Sequence, residues 1–211
     1  MESLGDEMSK NTKEKILDAA QEVFADTGLN GARMQKIADK AGVNKAMLHY
    51  YFKSKRYLFR KVFELIAPRM FPRVLGIIKK DTSLEEKIRI LVNNYSEFLR
   101  NNPEIPLLII GELHRHPEEF GRSFVKAIDT LDFDPVEILQ NDIDKGVAEG
   151  KYRAIDAREL LVNILSLCIL PIGGRKVIEK FIFDDNPEQY DKFLESRKYT
   201  VAEFIINAIE K

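Results

Sequence analysis

The stretch Met34-Gln35-Lys36-Ile37-Ala38-Asp39-Lys40-Ala41-Gly42-Val43-Asn44-Lys45-Ala46-Met47-Leu48-His49-Tyr50-Tyr51-Phe52 decides the fold of this chain. Met34, Ile37, Ala38 and Ala41 recur at helical spacing and share one face, and Gly42 supplies the residue that most readily ends such a helix. Two residues later Asn44 is placed to cap a second short helix, on which Leu48 and Phe52 lie one turn apart and face inward. A short amphipathic helix, a tight turn and another short helix are the proportions of a helix-turn-helix. The second helix turns Lys45, His49 and Tyr50 outward near its N-terminus, where the helix dipole adds partial positive charge. Ammonium, imidazole and phenol groups at such a place suit phosphates and base edges.

Working outward, Asn11 with Glu14 three residues on predicts the start of a first helix, which carries Ile16, Leu17, Ala20, Val23 and Phe24 on one face and stops at Gly28. On the other side, Ser54 caps a fourth helix through Leu58, Val62 and Leu65. Pro68 and Pro72 are expected to kink or break it, since each removes a backbone donor and crowds the preceding turn. The expected division is a head of residues 1–57 and a body of residues 58–211.

The body reads as helical throughout, with no sustained two-residue alternation, so the fold class is all-α. Ser83 with Glu86 opens a helix whose stripe includes Leu91, Tyr95, Phe98 and Leu99. Pro117 and Pro135 sit where first-turn prolines belong, predicting helices of about 117–131 and 135–149. Asp156 with Glu159 caps a helix that is apolar nearly all round from Leu160 to Ile172, and Asn186 with Gln189 opens a last helix with a long stripe. Two such helices fit a helix-helix interface, and pairing two copies about a two-fold axis gives a four-helix bundle. The expected homodimer interface comprises Leu161, Leu165, Cys168, Phe204, Ile205 and Ala208.

Net charge is only −1, but its distribution is uneven. Residues 33–61 hold nine basic side chains against the single acid Asp39, a balance of +8, and the other 24 basic and 33 acidic residues leave −9. A basic head on an acidic body turns that head toward a polyanion. The single cysteine, Cys168, excludes an internal disulfide or a multi-cysteine metal cage. His114, His116, Glu118 and Glu119 straddle Pro117 without the spacing of helical ligand pairs, and no nucleophile is paired with a base. The expectation is therefore a protein that is not an enzyme and needs no metal or cofactor. No apolar run approaches the roughly 20 residues that span a bilayer, and the polar N-terminus lacks the regions of a signal peptide. A cytoplasmic protein without membrane contact is the expectation.

The segments Gly28-Leu29, Met34 to Ala38, Ala41 to Lys45 and Leu48 to Lys55 resemble the head of the tetracycline-repressor (TetR) family, over about Ile16 to Leu58. Gly146 to Leu160, with Gly150, Arg153 and Asp156, also looks like the entry into that family's dimerisation helices. The resemblance implies a ligand-responsive transcriptional regulator, a repressor in the commonest case, that binds a near-palindromic double-stranded DNA operator as a homodimer. By position it places Lys45, Ala46, His49, Tyr50 and Tyr51 on DNA from the third helix, Gln35 from the second, and Lys55 on the DNA backbone. Gln35 and Met47 are the expected base-edge contacts, because a Gln amide bonds adenine in two places and Met packs on a thymine methyl. Three departures stand out: Arg33 follows Ala32 where relatives often carry a hydroxyl, Ala46 replaces a common Gly, and His49 replaces a frequent Tyr. Arg33 is thus an expected phosphate contact.

The resemblance also implies an effector pocket in the body. Its expected lining is Tyr95, Phe98, Ile109, Glu112, Leu113 and Phe124, which would favour a hydrophobic or amphipathic small molecule, with His114 as a further polar anchor. The competing reading is an all-helical protein-interaction or ligand-carrier module without DNA binding; salt-dependent affinity for DNA separates the two.

Overall fold

The computed structural model describes residues 2–103 and 105–211, without the side chains of residues 2–10, Ile66, Arg69, Met70, Leu108, Glu119, Phe124 and Ala127. Among the described residues the chain is all-α, with one isolated antiparallel bridge between Tyr152 and Glu210. It divides into two compact units, residues 1–69 with 111–128, and residues 70–110 with 129–211.

The first unit begins with α1 (Glu2–Gly31), α2 (Met34–Ala41) and α3 (Lys45–Tyr51), then enters α4 (Lys55–Leu75). Ile16, Ala20, Val23 and Phe24 of α1, Ile37 and Ala38 of α2, Leu48 of α3 and Leu58 and Phe59 of α4 are all buried. Phe24 meets Phe59 edge to face with ring centroids 5.1 Å apart. One expectation is corrected at α1: the helix does not begin at Asn11 but runs through it from Glu2. At Gly28, the expected stop, the helical backbone is interrupted, with φ of 64° and ψ of 175°, and a separate short turn runs on to Gly31. Only glycine adopts that backbone without strain.

The α4 helix is continuous through Pro68 and Pro72, so of the kink or break expected there the break is absent. Each ring deletes one i to i−4 bond, and the intact bonds on either side carry the helix across. The boundary between the units falls between the two prolines. The first unit further contains α7 (Pro117–Ile128), whose buried Phe120 stacks on Phe63 of α4 at 5.2 Å. Glu64 of α4 accepts hydrogen bonds from Lys61 Nζ (2.7 Å) and Ser123 Oγ (2.6 Å). Burial alone would raise the Glu64 carboxyl, but these donors outweigh it and hold it below the usual carboxylate range.

The second unit is built on α5 (Leu84–Asn101), α8 (Pro135–Ala148), α9 (Ala157–Gly173), α10 (Arg175–Ile182) and α11 (Pro187–Ile209), with α6 (Ile105–Arg115) beginning in it. The caps expected at Ser83, Asp156 and Asn186 are in place, accepting from Glu86, Arg158 and Gln189 N–H respectively, and Asp134, just ahead of Pro135, accepts from Val136 N–H. Its core joins Ile88, Leu91 and Val92 of α5, Leu139 and Ile143 of α8, Leu160 and Ile164 of α9, and Val201, Ile205 and Ile209 of α11. Lys87, only 4 % exposed, is neutralised by Asp142 at 2.6 Å.

The turn from α8 into α9 explains its glycines. A Cβ on Gly146 would lie 2.0 Å from the Tyr152 ring, and Gly150 has a φ of 78°. Tyr152 is buried and its hydroxyl donates to Glu85. The chain end closes over this turn, with Arg153 N–H donating to Ile209 C=O (2.7 Å) and Lys211 N–H to Lys151 C=O (3.0 Å).

Pro171 lies inside α9 and cannot donate to the Leu167 carbonyl four residues back. Arg197 of α11 supplies the missing donor, its Nη2 lying 2.6 Å from Leu167 C=O. Tyr190 O–H donates to the carbonyl of Pro171 itself. The short α10, absent from the sequence reading, leaves α9 with a bend of 77°. No single described helix is long and apolar enough to cross a membrane.

Candidate nucleic-acid interface

The turn between α2 and α3 is fixed by its own backbone. Gly42 takes the left-handed conformation (φ 66°, ψ 31°), which lets Gly42 N–H reach Asp39 C=O at 3.2 Å and Val43 N–H reach Ala38 C=O at 3.0 Å. These paired bonds close the end of α2 and throw the chain sideways. Asn44 then accepts from Met47 N–H at 2.7 Å, opening α3 after only two further residues. Leu48 is the one buried residue within α3, and Phe52, also buried, closes the helix with its N–H on Leu48 C=O at 2.8 Å.

One side of α3 is thereby pinned to the core and the rest is left open. Lys45, Ala46, Met47, His49 and Tyr50 are all exposed, Tyr50 to 81 %. Tyr51 is half-buried, and its ring meets that of Tyr50 edge to face at 5.2 Å. Arg33 and Gln35 at the start of α2 are exposed too. Arg33 occupies the cap position but makes no side-chain capping bond, so its guanidinium is not spent on the helix end.

Lys55 behaves differently from the expectation of a DNA-backbone contact. It is half-buried, and its ammonium donates to the carbonyls of Ala32 (2.9 Å) and Asn30 (3.3 Å), tying the start of α4 to the link between α1 and α2. Carbonyls left over at the end of α1 attract the nearest flexible cation, and nothing in the local sequence signals a partner more than twenty residues away. Sequence reasoning leaves Asp39 out of the site, and its carboxylate accepts from Gln35 Nε2 at 2.7 Å on the exposed side of α2.

The expected pocket residues are shared between the two units: Tyr95, Phe98 and Ile109 in one, Glu112, Leu113 and Phe124 in the other. Tyr95, Phe98 and Ile109 are half-buried, and burial pushes the Tyr95 phenol well above its ordinary range. Glu112 is buried, Leu113 half-buried and His114 exposed, and the Phe124 side chain is outside the described residues.

Of the expected interface residues, Cys168 and Ile205 are buried in the core of the protomer itself, which corrects their assignment to the dimer interface. In a helix apolar nearly all round, periodicity does not distinguish the inward face from the outward one. Leu161 is half-buried; Leu165, Phe204 and Ala208 are exposed. Val162, Leu170 and Tyr199 are exposed as well, as are Val177 and Phe181 of α10.

Residues 16–62 match the model of the bacterial regulatory proteins of the tetR family. The HTH-type transcriptional repressor NicS of Pseudomonas putida is 28% identical over 189 residues, covering 88% of this chain and 87% of that protein. Among solved structures, a transcriptional regulator of the TetR/AcrR family from Thermobifida fusca is 22% identical, covers 92% of this chain and 96% of its own, and superposes with a TM-score of 0.62. The transcriptional regulator FadR from Bacillus subtilis, in complex with stearoyl-CoA, is 21% identical, covers 93% and 98%, and superposes with a TM-score of 0.59.

Proposed function

We propose, from the premise that this chain belongs to the TetR family of bacterial regulatory proteins and is a ligand-responsive DNA-binding regulator, that it works as a dimeric repressor with α3 as its reading helix. The observation that carries the reading is the division of α3: Leu48 alone is buried, and Lys45, Met47, His49 and Tyr50 are presented to solvent within residues 33–61, a segment of charge +8. Two such helices, held by paired α9 and α11 surfaces, would enter successive major grooves about 34 to 36 Å apart on a near-palindromic operator. Lys45, Tyr50 and Arg33 hold phosphates, and Gln35 and Met47 meet base edges. Leu165, Phe204 and Ala208 lie at the dimer interface. The head of residues 1–57 reads DNA and the remainder binds the effector and the second copy.

NicS is a repressor by name, which favours repression over activation. The stearoyl-CoA held by the Bacillus subtilis structure favours a hydrophobic or amphipathic effector, in keeping with the half-buried Tyr95 and Phe98 of α5. Such an effector relieves repression only by binding the DNA-free arrangement more tightly than the DNA-bound one. A cytoplasmic location follows from a DNA partner.

The test is the salt dependence of binding to fragments selected from genomic DNA. Affinity should fall log-linearly with salt, and Lys45→Ala should lower the slope by about 0.9, the share of one phosphate. Lys55→Ala should weaken binding without that change of slope, because its ammonium is engaged with Ala32 and Asn30. Absence of any salt-dependent binding would sink the DNA-binding reading.

A further inference from the structure

We propose that Asp39 sets the base preference of Gln35, so that the α2 contact reads adenine; this rests on the DNA-binding reading above. Gln35 and Asp39 are one turn apart on the exposed side of α2, joined by a hydrogen bond of 2.7 Å from Nε2 to Oδ1. The two ends of a Gln amide look alike in shape, so its orientation rests on the chemistry of its partners. Here the partner leaves no choice. An ionised carboxylate only accepts, so it is the amide nitrogen that faces Asp39.

The consequence lies on the other edge of the amide. One N–H is committed to Asp39, and the second N–H and the carbonyl oxygen remain, a donor beside an acceptor. Adenine presents the complementary pair in the major groove, the N7 acceptor beside the N6 amino donor. Guanine presents two acceptors, N7 and O6, and would set O6 against the Gln35 carbonyl. An unanchored Gln can turn its amide to suit either purine, and Asp39 removes that freedom. Asp39 is also the only acid among residues 33–61, where every other charge is basic. A carboxylate there weakens attraction to DNA in general, so the anchor trades affinity for discrimination.

The two contributions of Asp39, charge and orientation, separate by substitution. Asp39→Ala removes both, and Asp39→Asn removes the charge but keeps a carbonyl able to accept from Gln35. Both sites are exposed on a helix, so the fold should tolerate the changes, which thermal melting verifies. Selection of bound sequences from a randomised duplex pool, followed by titration of the selected site and its A→G variant, reads the outcome. The intact chain should discriminate by roughly tenfold or more at one position per half-site, in line with a bidentate contact. Asp39→Ala should cut this to about threefold or less while binding random duplex at least as tightly. Asp39→Asn should retain the preference and bind all duplexes more tightly. Gln35→Ala should lose the preference, and adding Asp39→Ala should change it no further.

Retention of the full preference in Asp39→Ala would overturn the proposal, as would an equal loss of affinity for every sequence or a preference indifferent to Gln35→Ala. A cytosine preference lost on Asp39→Ala but kept in Gln35→Ala would make Asp39 itself the reader, which also overturns it. Failure of the intact chain to bind any duplex is a different result: it removes the DNA-binding reading itself.

Discussion

The helices α3 and α9 are both essential to the proposed mechanism, and they are completed in opposite ways. In α3 the ends are closed by near neighbours: Asn44 caps Met47 three residues on, and Phe52 N–H returns to Leu48. Its outward face is labelled by polarity, with one apolar residue buried and the remainder open. In α9 the uniform apolar composition hides which side faces the core, and the carbonyl orphaned by Pro171 is satisfied by Arg197, thirty residues beyond Leu167. The lesson is that a helix whose partners are local declares its role in the sequence, and one whose partners are distant does not. The same contrast separates the turn at Gly42, held by backbone bonds, from the turn after Gly146, held by the packing of an aromatic ring.

The largest effect should come from those two glycines. Gly146→Ala puts a methyl 2.0 Å from the ring of Tyr152, a buried residue whose hydroxyl is tied to Glu85. A cost of about 3 kcal/mol is expected, lowering the melting temperature by roughly 6 to 12 °C. Gly42→Ala meets nothing within 4 Å, so its cost is the left-handed backbone alone, about 1 to 2 kcal/mol. Calorimetry on both variants breaks the comparison if the order is reversed. Replacing Tyr152 by Leu in the Gly146→Ala background should recover part of the loss, and no such rescue exists for Gly42→Ala.

Next comes the surface that α9 and α11 leave open. Leu165 and Phe204 are 43 % and 64 % exposed, whereas Cys168 and Ile205, close by in the same helices, are buried. If the exposed pair meets a second copy, Leu165→Asp with Phe204→Asp should weaken self-association by about 100-fold, or about 2.8 kcal/mol. The monomer's melting temperature should hardly change, since neither side chain is in its core. Sedimentation equilibrium gives the association constant directly. An unchanged dimer would move the interface elsewhere, with the exposed Val177 and Phe181 of α10 the next face to substitute.

What the sequence makes legible follows the same division. The helix-turn-helix, the caps at Ser83, Asp156 and Asn186, and the exposed residues of α3 are all readable because their causes lie within a turn of chain. The inward roles of Cys168 and Ile205 are not, because an apolar residue reads alike on either side of a buried helix. Lys55 reads as a surface cation until the carbonyls of Asn30 and Ala32 are brought beside it. The start of α1 before Asn11 is missed because a cap residue also tolerates a helix interior when the chain upstream is helical. Asp39 is the instructive case. The spacing of Gln35 and Asp39 at i and i+4 is a usable signal for their hydrogen bond, masked by the basic residues around it.

The smallest of the three effects tests the premise that α9 is completed from a distance. Arg197 does two things in the structure: its Nη2 meets the Leu167 carbonyl at 2.6 Å, and its guanidinium lies over the Phe193 ring at 5.4 Å. Substituting Met keeps much of the stem's packing and removes the donor. The Leu167 carbonyl then loses its partner, because Pro171 has no N–H to return to it, and a cost of about 2 kcal/mol is expected. Pro171→Ala restores an N–H four residues along, so in that background Arg197→Met should cost about 1 kcal/mol less. Denaturant titration of the four proteins measures the coupling. If Arg197→Met costs the same with and without Pro171, the guanidinium is there to pack on Phe193, and α9 needs no distant donor. A positive coupling means that the proline is tolerated in α9 because a residue of α11 is present to answer it, a dependence that neither helix shows when read alone.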